Sequence, residues 1–508
     1  MRVDKLEIPQ FKNLHDFQIN LDESQLTSVL IGHNGSGKSN LLEALVIIFR
    51  DLDLNVPTKE FSYKLQYRCT NHWICVENNA ETRRRSFNVD GVKSTQKAFY
   101  EKRKEHLPEH LFAYYSGPSN RLEKYFATHQ KRFYDALLDG EDEPIRPLFY
   151  ARTIHSNFVL LAFFSFFNDE NMDFLRNYFE IESIESILFV LRKPLWANAK
   201  EHSKNSFWGA RGIVSNFLKD LYTYATAPIK ETVSFTEGIK TVNKEVTYLY
   251  LQDQQTMQEF ASKYRSNVEF FKCLESMYIS DLLEEIRIKI RKIDGTIITF
   301  NNLSEGEQQL LMVLGLLKFT QSKESLFLLD EPDTHLNPSW KFEYLNLIEK
   351  IVGPSESSQV ILSTHDPIVI GGLTKEAVTI FDRSIDGTTV RKPETDPRGM
   401  GVAALLTSDI FGCASSVDPE TQQQLDRLRQ LQYKKDRTEA DEIELQKLSD
   451  HLENLGFSRT TRDPLYDKFI EKLYSRPEFQ NQPITDEERK EMTEIMDDIL
   501  SELMEEDQ

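Results

Sequence analysis

Residues Ser325–Pro338 read SLFLLDEPDTHLNP. Leu326 to Leu329 form a short apolar run with no helical spacing, the pattern of a central strand covered on both faces. Asp330 and Glu331 close the run. At the C-terminal end of such a strand they emerge at the sheet edge where open α/β folds bind ligands. Two adjacent acids need a positive partner there, and a Mg²⁺-nucleotide supplies one. A plain strand-to-helix turn with acids near the helix start has the same composition, so the assignment depends on the rest of the chain.

Upstream, Thr27 to Ile31 is a second buried β run. It leads into Gly32-His33-Asn34-Gly35-Ser36-Gly37-Lys38-Ser39, then Asn40 and a helix with Leu41, Leu42, Leu45, Ile48 and Phe49 on one face. This is the G-x-x-x-x-G-K-[ST] loop in its strand–loop–helix setting. Its glycines let backbone N–H groups curl around phosphate oxygens. Lys38 is placed to pair with the β- and γ-phosphates and the Ser39 hydroxyl to ligate Mg²⁺, with the field of the helix N-terminus behind them. A nucleotide with Mg²⁺ is the predicted ligand, and Gly32, Asn34, Gly35, Ser36, Gly37, Lys38, Ser39 and Asn40 the predicted contacts.

Two further motifs follow in order. Ile286, Ile288 and Ile290 alternate as a strand, Asp294-Gly295 turns the chain, and Thr296 to Phe300 pairs back. Leu303-Ser304-Glu305-Gly306-Glu307-Gln308 comes next, ahead of an apolar helix from Leu310 to Phe319. Ser304 with Glu307 three residues on is a capping box that any helix start could carry. After Pro338, Val360-Ile361-Leu362 is another buried strand and ends in Ser363-Thr364-His365-Asp366-Pro367. Its company makes His365 a catalytic candidate. Ala377 to Phe381 adds one more strand.

At 508 residues and 40% hydrophobic content the chain predicts two to four domains, or one large domain with insertions. Four cysteines at this length are no disulfide framework and suit a reducing cytosol. The N-terminus carries charges where a signal peptide needs an apolar core. Phe158 to Phe167 is too short for a membrane helix and reads as a buried one; no membrane association is predicted. The net charge of −20 is uneven: residues 82–132 sum to +7 and residues 418–508 to −12. A positive stretch in an acidic protein hints at a polyanion, and an acidic tail at a basic partner. Residues 61–93 alternate as antiparallel sheet with a tight turn at Asp90-Gly91. Cys69, His72 and Cys75 lie close together there, but no fourth ligand is evident nearby and zinc is not predicted. Residues 120–285 are mostly helical in pattern, with no sustained heptad.

Taken in order, the four motifs resemble an ABC-type ATPase of the SMC/RecF branch, over roughly 1–120 and 286–395. The fold class the resemblance implies is α/β: a P-loop ATPase head with a mixed N-terminal lobe and a parallel sheet, a helical insertion and a helical C-terminal extension. The implied domains are 1–120 with the Walker A loop, 121–285 as the insertion, 286–395 with the signature, Walker B and switch histidine, and 396–508 as the extension. The resemblance gives Lys38 and Ser39 to Walker A and makes Asp330 the Walker B Mg²⁺ residue. Glu331 would polarise the attacking water and His365 would stand near the γ-phosphate. Ser304 and Gly306 of the signature run would bind the nucleotide held by a second subunit, which implies a head-to-tail dimer with two ATP molecules sandwiched between subunits. Asn337 stands where the family's D-loop has aspartate. No glutamine marks the Q-loop clearly, and Gln66 is the candidate.

The run 405–420, a helical pair around Leu425–Leu455, and residues 462–469 resemble the C-terminal region of the PtuA family, ATPase subunits of Septu and retron anti-phage systems. That resemblance implies a separate HNH nuclease partner and, in a retron, a reverse transcriptase with its RNA–DNA product. Met492, Ile495, Met496, Ile499, Leu500 and Leu503 form an apolar stripe suited to docking a partner or to packing within its own domain. A metal-dependent nuclease domain of the kind that OLD proteins append needs a glutamate and an Asp-x-Asp pair; Glu376, Asp382 and Asp386 are wrongly spaced for it. A DNA-repair ATPase of the SMC/RecF kind, gripping DNA through 82–132, is the alternative reading.

Overall fold

In the computed structural model the apolar run at 326–329 lies inside a seven-stranded sheet. The structure describes residues 1–455 except 23, 142–146, 167–168, 198–206, 238–239, 321–323, 353–357, 385–386 and 435, and after 455 only Ile495, Met496 and Ile499. The sheet order is Gly387–Arg391, Val378–Ser384, Thr27–Gly32, Ser358–Ser363, Ser325–Asp330, His110–Tyr115, Leu148–Tyr150. Its neighbours run parallel except at the Gly387–Arg391 edge. Side chains alternate between faces along a strand, which explains why Ser325–Asp330 is buried throughout. Leu326 and Leu328 enter one core while Phe327 and Leu329 enter the other.

The first core holds the helix Lys38–Asp53, which is covered on its far side by a six-stranded antiparallel sheet. That sheet runs Leu14–Asn20, Arg2–Phe11, Tyr63–Cys69, His72–Asn79, Arg84–Val89, Val92–Ser94, and includes the predicted turn, with Asp90 at φ 52° and Gly91 at φ 79°. Asp90 tolerates this left-handed backbone better than most residues and Gly91 adopts it freely.

The second core holds the helices of the insertion, with Ile154–Ser165 buried on nearly every side, as its sequence predicts. The 121–285 segment is not helical throughout. Three long strands, Ile181–Arg192, Thr226–Glu237 and Lys240–Leu251, join Leu283–Lys292 and Ile297–Thr299 in a five-stranded antiparallel sheet. The reason is visible in the register. Ile181, Ile184 and Ile187 are spaced by three, as on a helix, yet the ladder to Leu283–Lys292 shifts between Ile181 and Ser183 and again between Ile184 and Ser186. Each bulge adds a residue, so successive inward positions fall three apart on a strand.

The chain divides into two compact units, Met1–Leu405 with Asp409–Phe411, and Leu406–Ser408 with Gly412–Gln508. In the second, the helices Pro419–Tyr433 and Glu439–Asn454 form the predicted pair, pinned by Arg427 donating from Nε (2.9 Å) and a terminal nitrogen (2.8 Å) to Glu444. Of the apolar stripe, Ile499 is buried and Ile495 and Met496 are half-buried; Met492, Leu500, Leu503 and residues 462–469 lie outside the described residues. Among the described residues no helix is long and apolar enough to cross a membrane.

Candidate nucleotide-binding site

The strand Thr27–Gly32 delivers the loop to the end of the parallel sheet. Gly32 has φ 146°, and a Cβ there would stand 2.3 Å from the Phe381 carbonyl oxygen. Gly37 has φ 112° at the start of the helix Lys38–Asp53, with Asn13, Leu14 and Thr388 against it. Both positions require glycine for conformation and for space. Thr388 fixes the loop from outside by donating to the Ser36 carbonyl at 2.7 Å, and Asn13 by donating to the Gly35 carbonyl at 3.0 Å. Lys38 is buried and donates to the carbonyls of Gly32 (2.6 Å) and His33 (3.2 Å). Burial lowers its pKa, opposed by the charges of Glu331 and Asp330.

Asp330, at the end of its strand, is fully buried. Its Oδ1 accepts from Ser39 Oγ at 3.0 Å and from Ser363 Oγ at 2.5 Å. Burial raises its pKa, and the two hydroxyls pull it back only in part. Its Oδ2 has no hydrogen-bond partner among the described residues, and neither does the buried Ser36 Oγ. An orphaned carboxylate oxygen beside a serine hydroxyl, a few ångströms from a phosphate loop, fits a hard cation that takes oxygen ligands. Ser39 and Asp330 would hold Mg²⁺.

Glu331 follows at φ 53°, a strained backbone for a long side chain. The chain holds it there: its N–H donates to the Ser363 carbonyl at 3.0 Å, and its carbonyl accepts from Thr334 Oγ1 at 2.8 Å. His365 Nδ1 lies 3.3 Å from the Glu331 carboxylate and is half exposed. The structure thus brings Lys38, Ser39, Asp330, Glu331 and His365 to one sheet edge.

Ser304 and Gly306 sit differently. Ser304 is exposed, and its N–H and hydroxyl both donate to the Glu307 carboxylate at 2.8 Å. Gly306 is buried against the turn after Glu331, where a Cβ would lie 2.4 Å from the His335 carbonyl oxygen. Asn337 caps the helix Pro338–Val352 by accepting from the Trp340 N–H at 2.9 Å. Gln66 lies mid-strand in the antiparallel sheet, in register with Lys5 and Cys75; the strands beside Asp330 are Ser358–Ser363 and His110–Tyr115, with Ser363 and Tyr115 level with it.

Sequence reasoning missed the groups behind the loop. Glu43, on the loop helix, is fully buried and accepts from Lys12 Nζ (2.5 Å), Tyr125 Oη (2.5 Å) and Arg121 Nε (3.0 Å). Burial works against its charge, but these three bonds outweigh it and hold the carboxyl below its ordinary range. Arg121 also bonds the Asn40 side-chain oxygen, and Asn40 bonds Asn13. An acid at an inward helix position, among Leu42, Ala44 and Leu45, was the available signal.

The AAA ATPase domain family matches residues 1–370, which implies nucleotide binding. Among curated relatives, the Septu protein PtuA of Bacillus mycoides (strain KBAB4) is 25% identical over 167 residues, 32% of this chain and 23% of that protein. The Retron Vc95 probable ATPase of Vibrio cholerae serotype O1 biovar El Tor is 26% identical over 175 residues, 32% of each chain. The chain thus spans about a quarter to a third of the length of these relatives. Among solved structures, the SMC head domain from Thermotoga maritima has a TM-score of 0.32 and 14% identity, covering 78% of this chain and 100% of that one. With residues 1–370 of its 508 inside the family's match, this chain belongs to the AAA ATPase domain family.

Proposed function

We propose that the chain binds and hydrolyses ATP at this sheet edge, as the ATPase subunit of a bacterial anti-phage assembly of the Septu or retron kind. The observation that carries the enzymatic half is the buried Asp330 oxygen without a partner, beside Ser39 at the end of the phosphate loop. Mg²⁺ bound with the nucleotide supplies charge neutralisation on the phosphate oxygens. The loop's N–H groups and Lys38 bind and orient the phosphates. Glu331 accepts the proton of the attacking water, and His365, 3.3 Å away, orients that carboxylate. The likeness to PtuA and to the Retron Vc95 ATPase supports the defence half of the reading. Within it the chain forms a head-to-tail dimer around two ATP molecules, each facing the Ser304–Gly306 run of the other subunit, and restrains or licenses a separate HNH nuclease. A reverse transcriptase with its RNA–DNA product completes the retron form.

The test is purification through this chain after co-expression with its neighbouring genes, for wild type and Lys38→Ala, with ATP turnover measured on each. ATP-dependent recovery of an HNH protein is the expected result. A dimer that turns over ATP and captures DNA alone would overturn the defence half, and a chain without turnover the enzymatic half.

One observation bears on the DNA-repair alternative: a groove of about 820 Å³ on the antiparallel sheet, lined in part by Arg84, Arg85 and Lys93, with Glu7 and a Lys64–Glu77 ion pair (2.8 Å) along the same lining. Arg85 of that lining and other bases of the 82–132 stretch are committed within the chain. Arg85 donates to the carbonyls of Asp51 (3.2 Å) and Val56 (2.8 Å), Arg103 pairs with Asp53, and Arg121 with Glu43. DNA held in this groove would be released steeply as salt rises.

A further inference from the structure

The Cys69–His72–Cys75 cluster does not assemble: Cys69 is fully buried, and burial pushes its thiol up to about 12. His72 has other company. Glu105 and His106, on the short helix Arg103–His106, come up beside it, with one ligand atom from each of the three lying within 4.8 Å of the others. His72 Nε2 is 3.5 Å from Glu105 Oε2. Two ligands of a tetrahedral zinc, each bonded at about 2.0–2.1 Å, stand roughly 3.4 Å apart. One pair is therefore already at coordination spacing, and the others need small side-chain movements at a partly exposed site.

The outer sides of both imidazoles are what distinguish this cluster from a surface ion pair. His106 Nδ1 lies 2.9 Å from the Phe99 carbonyl oxygen, which can only accept, so Nδ1 carries the hydrogen and Nε2 keeps a lone pair in the neutral ring. His72 Nδ1 lies 2.7 Å from Asp90 Oδ2, and the other Asp90 oxygen accepts from the Trp73 N–H at 2.8 Å. A backbone carbonyl behind one imidazole and a carboxylate behind the other are the supports that fix tautomer and ring direction in metal-ligating histidines. His106 is also locked in place: its ring stacks on Phe99 at 4.8 Å, and its carbonyl accepts from the Tyr67 hydroxyl at 2.8 Å. Glu105 now receives Lys102 Nζ at 3.3 Å, an exposed contact that a cation would displace.

We propose that His72, Glu105 and His106 form a site for one zinc-class divalent transition-metal ion, with Asp90 and Phe99 as its outer supports and a fourth position open to solvent. Two imidazoles and one carboxylate suit zinc and not the all-oxygen shell of Mg²⁺. The ion would tie the turn at 70–71 to the helix Arg103–His106. That helix leads within a few residues into the strand His110–Tyr115 beside Asp330.

The test is a Co²⁺ titration of the full chain, read by visible absorption and by the thermal midpoint. One equivalent should give the bands of a tetrahedral site and raise the midpoint, and should do so equally in Asp330→Asn, which removes the Mg²⁺ ligand. Excess Zn²⁺ should bleach the bands. His72→Gln and Glu105→Gln should each weaken binding more than 100-fold, and Asp90→Asn by about 10- to 100-fold. Both ligand positions are partly exposed, so the metal-free thermal midpoint checks that the variants fold. If one variant fails to fold, the other decides. Absence of the bands in wild type, or affinity unchanged in either folded variant, overturns the proposal.

Discussion

Asp330 and Ser304 belong to the two halves of one predicted machine and are built in opposite ways. Asp330 is buried, held by hydroxyls from Ser39 and Ser363, and keeps one oxygen unsatisfied. Its neighbour Glu331 is seated at φ 53°. Ser304 is exposed at a helix start, with ordinary backbone around it and its hydroxyl bonded to Glu307 three residues on. Folding pays at the first site, in buried charge and backbone strain, and not at the second. The phosphate cradle should therefore trade stability for function, whereas the Ser304 side chain should be nearly dispensable for folding and needed only against another subunit.

The largest expected effect is at Glu331. Glu331→Gln should leave ATP affinity within a few-fold of wild type and slow hydrolysis by about 10²–10⁴-fold, the usual worth of a positioned general base. Single-turnover hydrolysis read beside equilibrium ATP binding separates the two. Turnover equal to wild type would remove Glu331 from its role and leave its strained backbone without a functional reason.

Much of this site was legible in the sequence because each piece is local. A strand run, a glycine loop and paired acids each occupy fewer than ten residues and need no knowledge of what lies opposite. What was not legible is what closes through space. Arg121 reaches Asn40 and Glu43, and Thr388 caps a loop that begins at Gly32, with no motif linking either pair. The strand Ile181–Arg192 was hidden for a different reason: two bulges gave a strand the spacing of a helix. His72 carried the cue for the metal cluster, but its partners arrive more than thirty residues later, on a helix whose composition reads only as basic.

Ser304→Arg sharpens the comparison from the other side. It should fold, losing about 1 kcal/mol or less for the cap, and should lose ATP turnover when assayed alone. Mixed with Lys38→Ala, turnover should return, because one of the two sites in a mixed dimer then combines an intact loop with an intact signature run. No recovery across a range of concentrations would mean that Ser304 acts within its own subunit, and the contrast with Asp330 would collapse.

Gly315 tests whether the signature helix is anchored as firmly as its exposed start is free. A Cβ there would stand 2.2 Å from Val159 Cγ1, inside the core shared with the helix Ile154–Ser165. Gly315→Ala gains helix propensity but overpacks that contact, for a net loss of about 1–3 kcal/mol, read as a lower denaturant midpoint. A stabilised variant would show that the insertion yields around the signature helix and does not hold it.

The smallest effect is also the most direct probe of the cost at Asp330. Burial raises its pKa, so the folded chain binds that proton more tightly than the unfolded chain does. The stability it contributes is fully present below the ordinary carboxylate value and is lost as pH rises through the raised one. Without nucleotide, Asp330→Asn should therefore be more stable than wild type at pH 7, and the two curves should converge toward pH 4. Asp333, also raised by burial, is common to both proteins and drops out of the difference. Mg²⁺-ATP should reverse the order if Asp330 holds the ion, because wild type would then bind it more tightly and gain more stability from it. If Asp330→Asn proves less stable at pH 7, the bonds from Ser39 and Ser363 outweigh burial, and the cost of the cradle lies in the Glu331 backbone and not in buried charge.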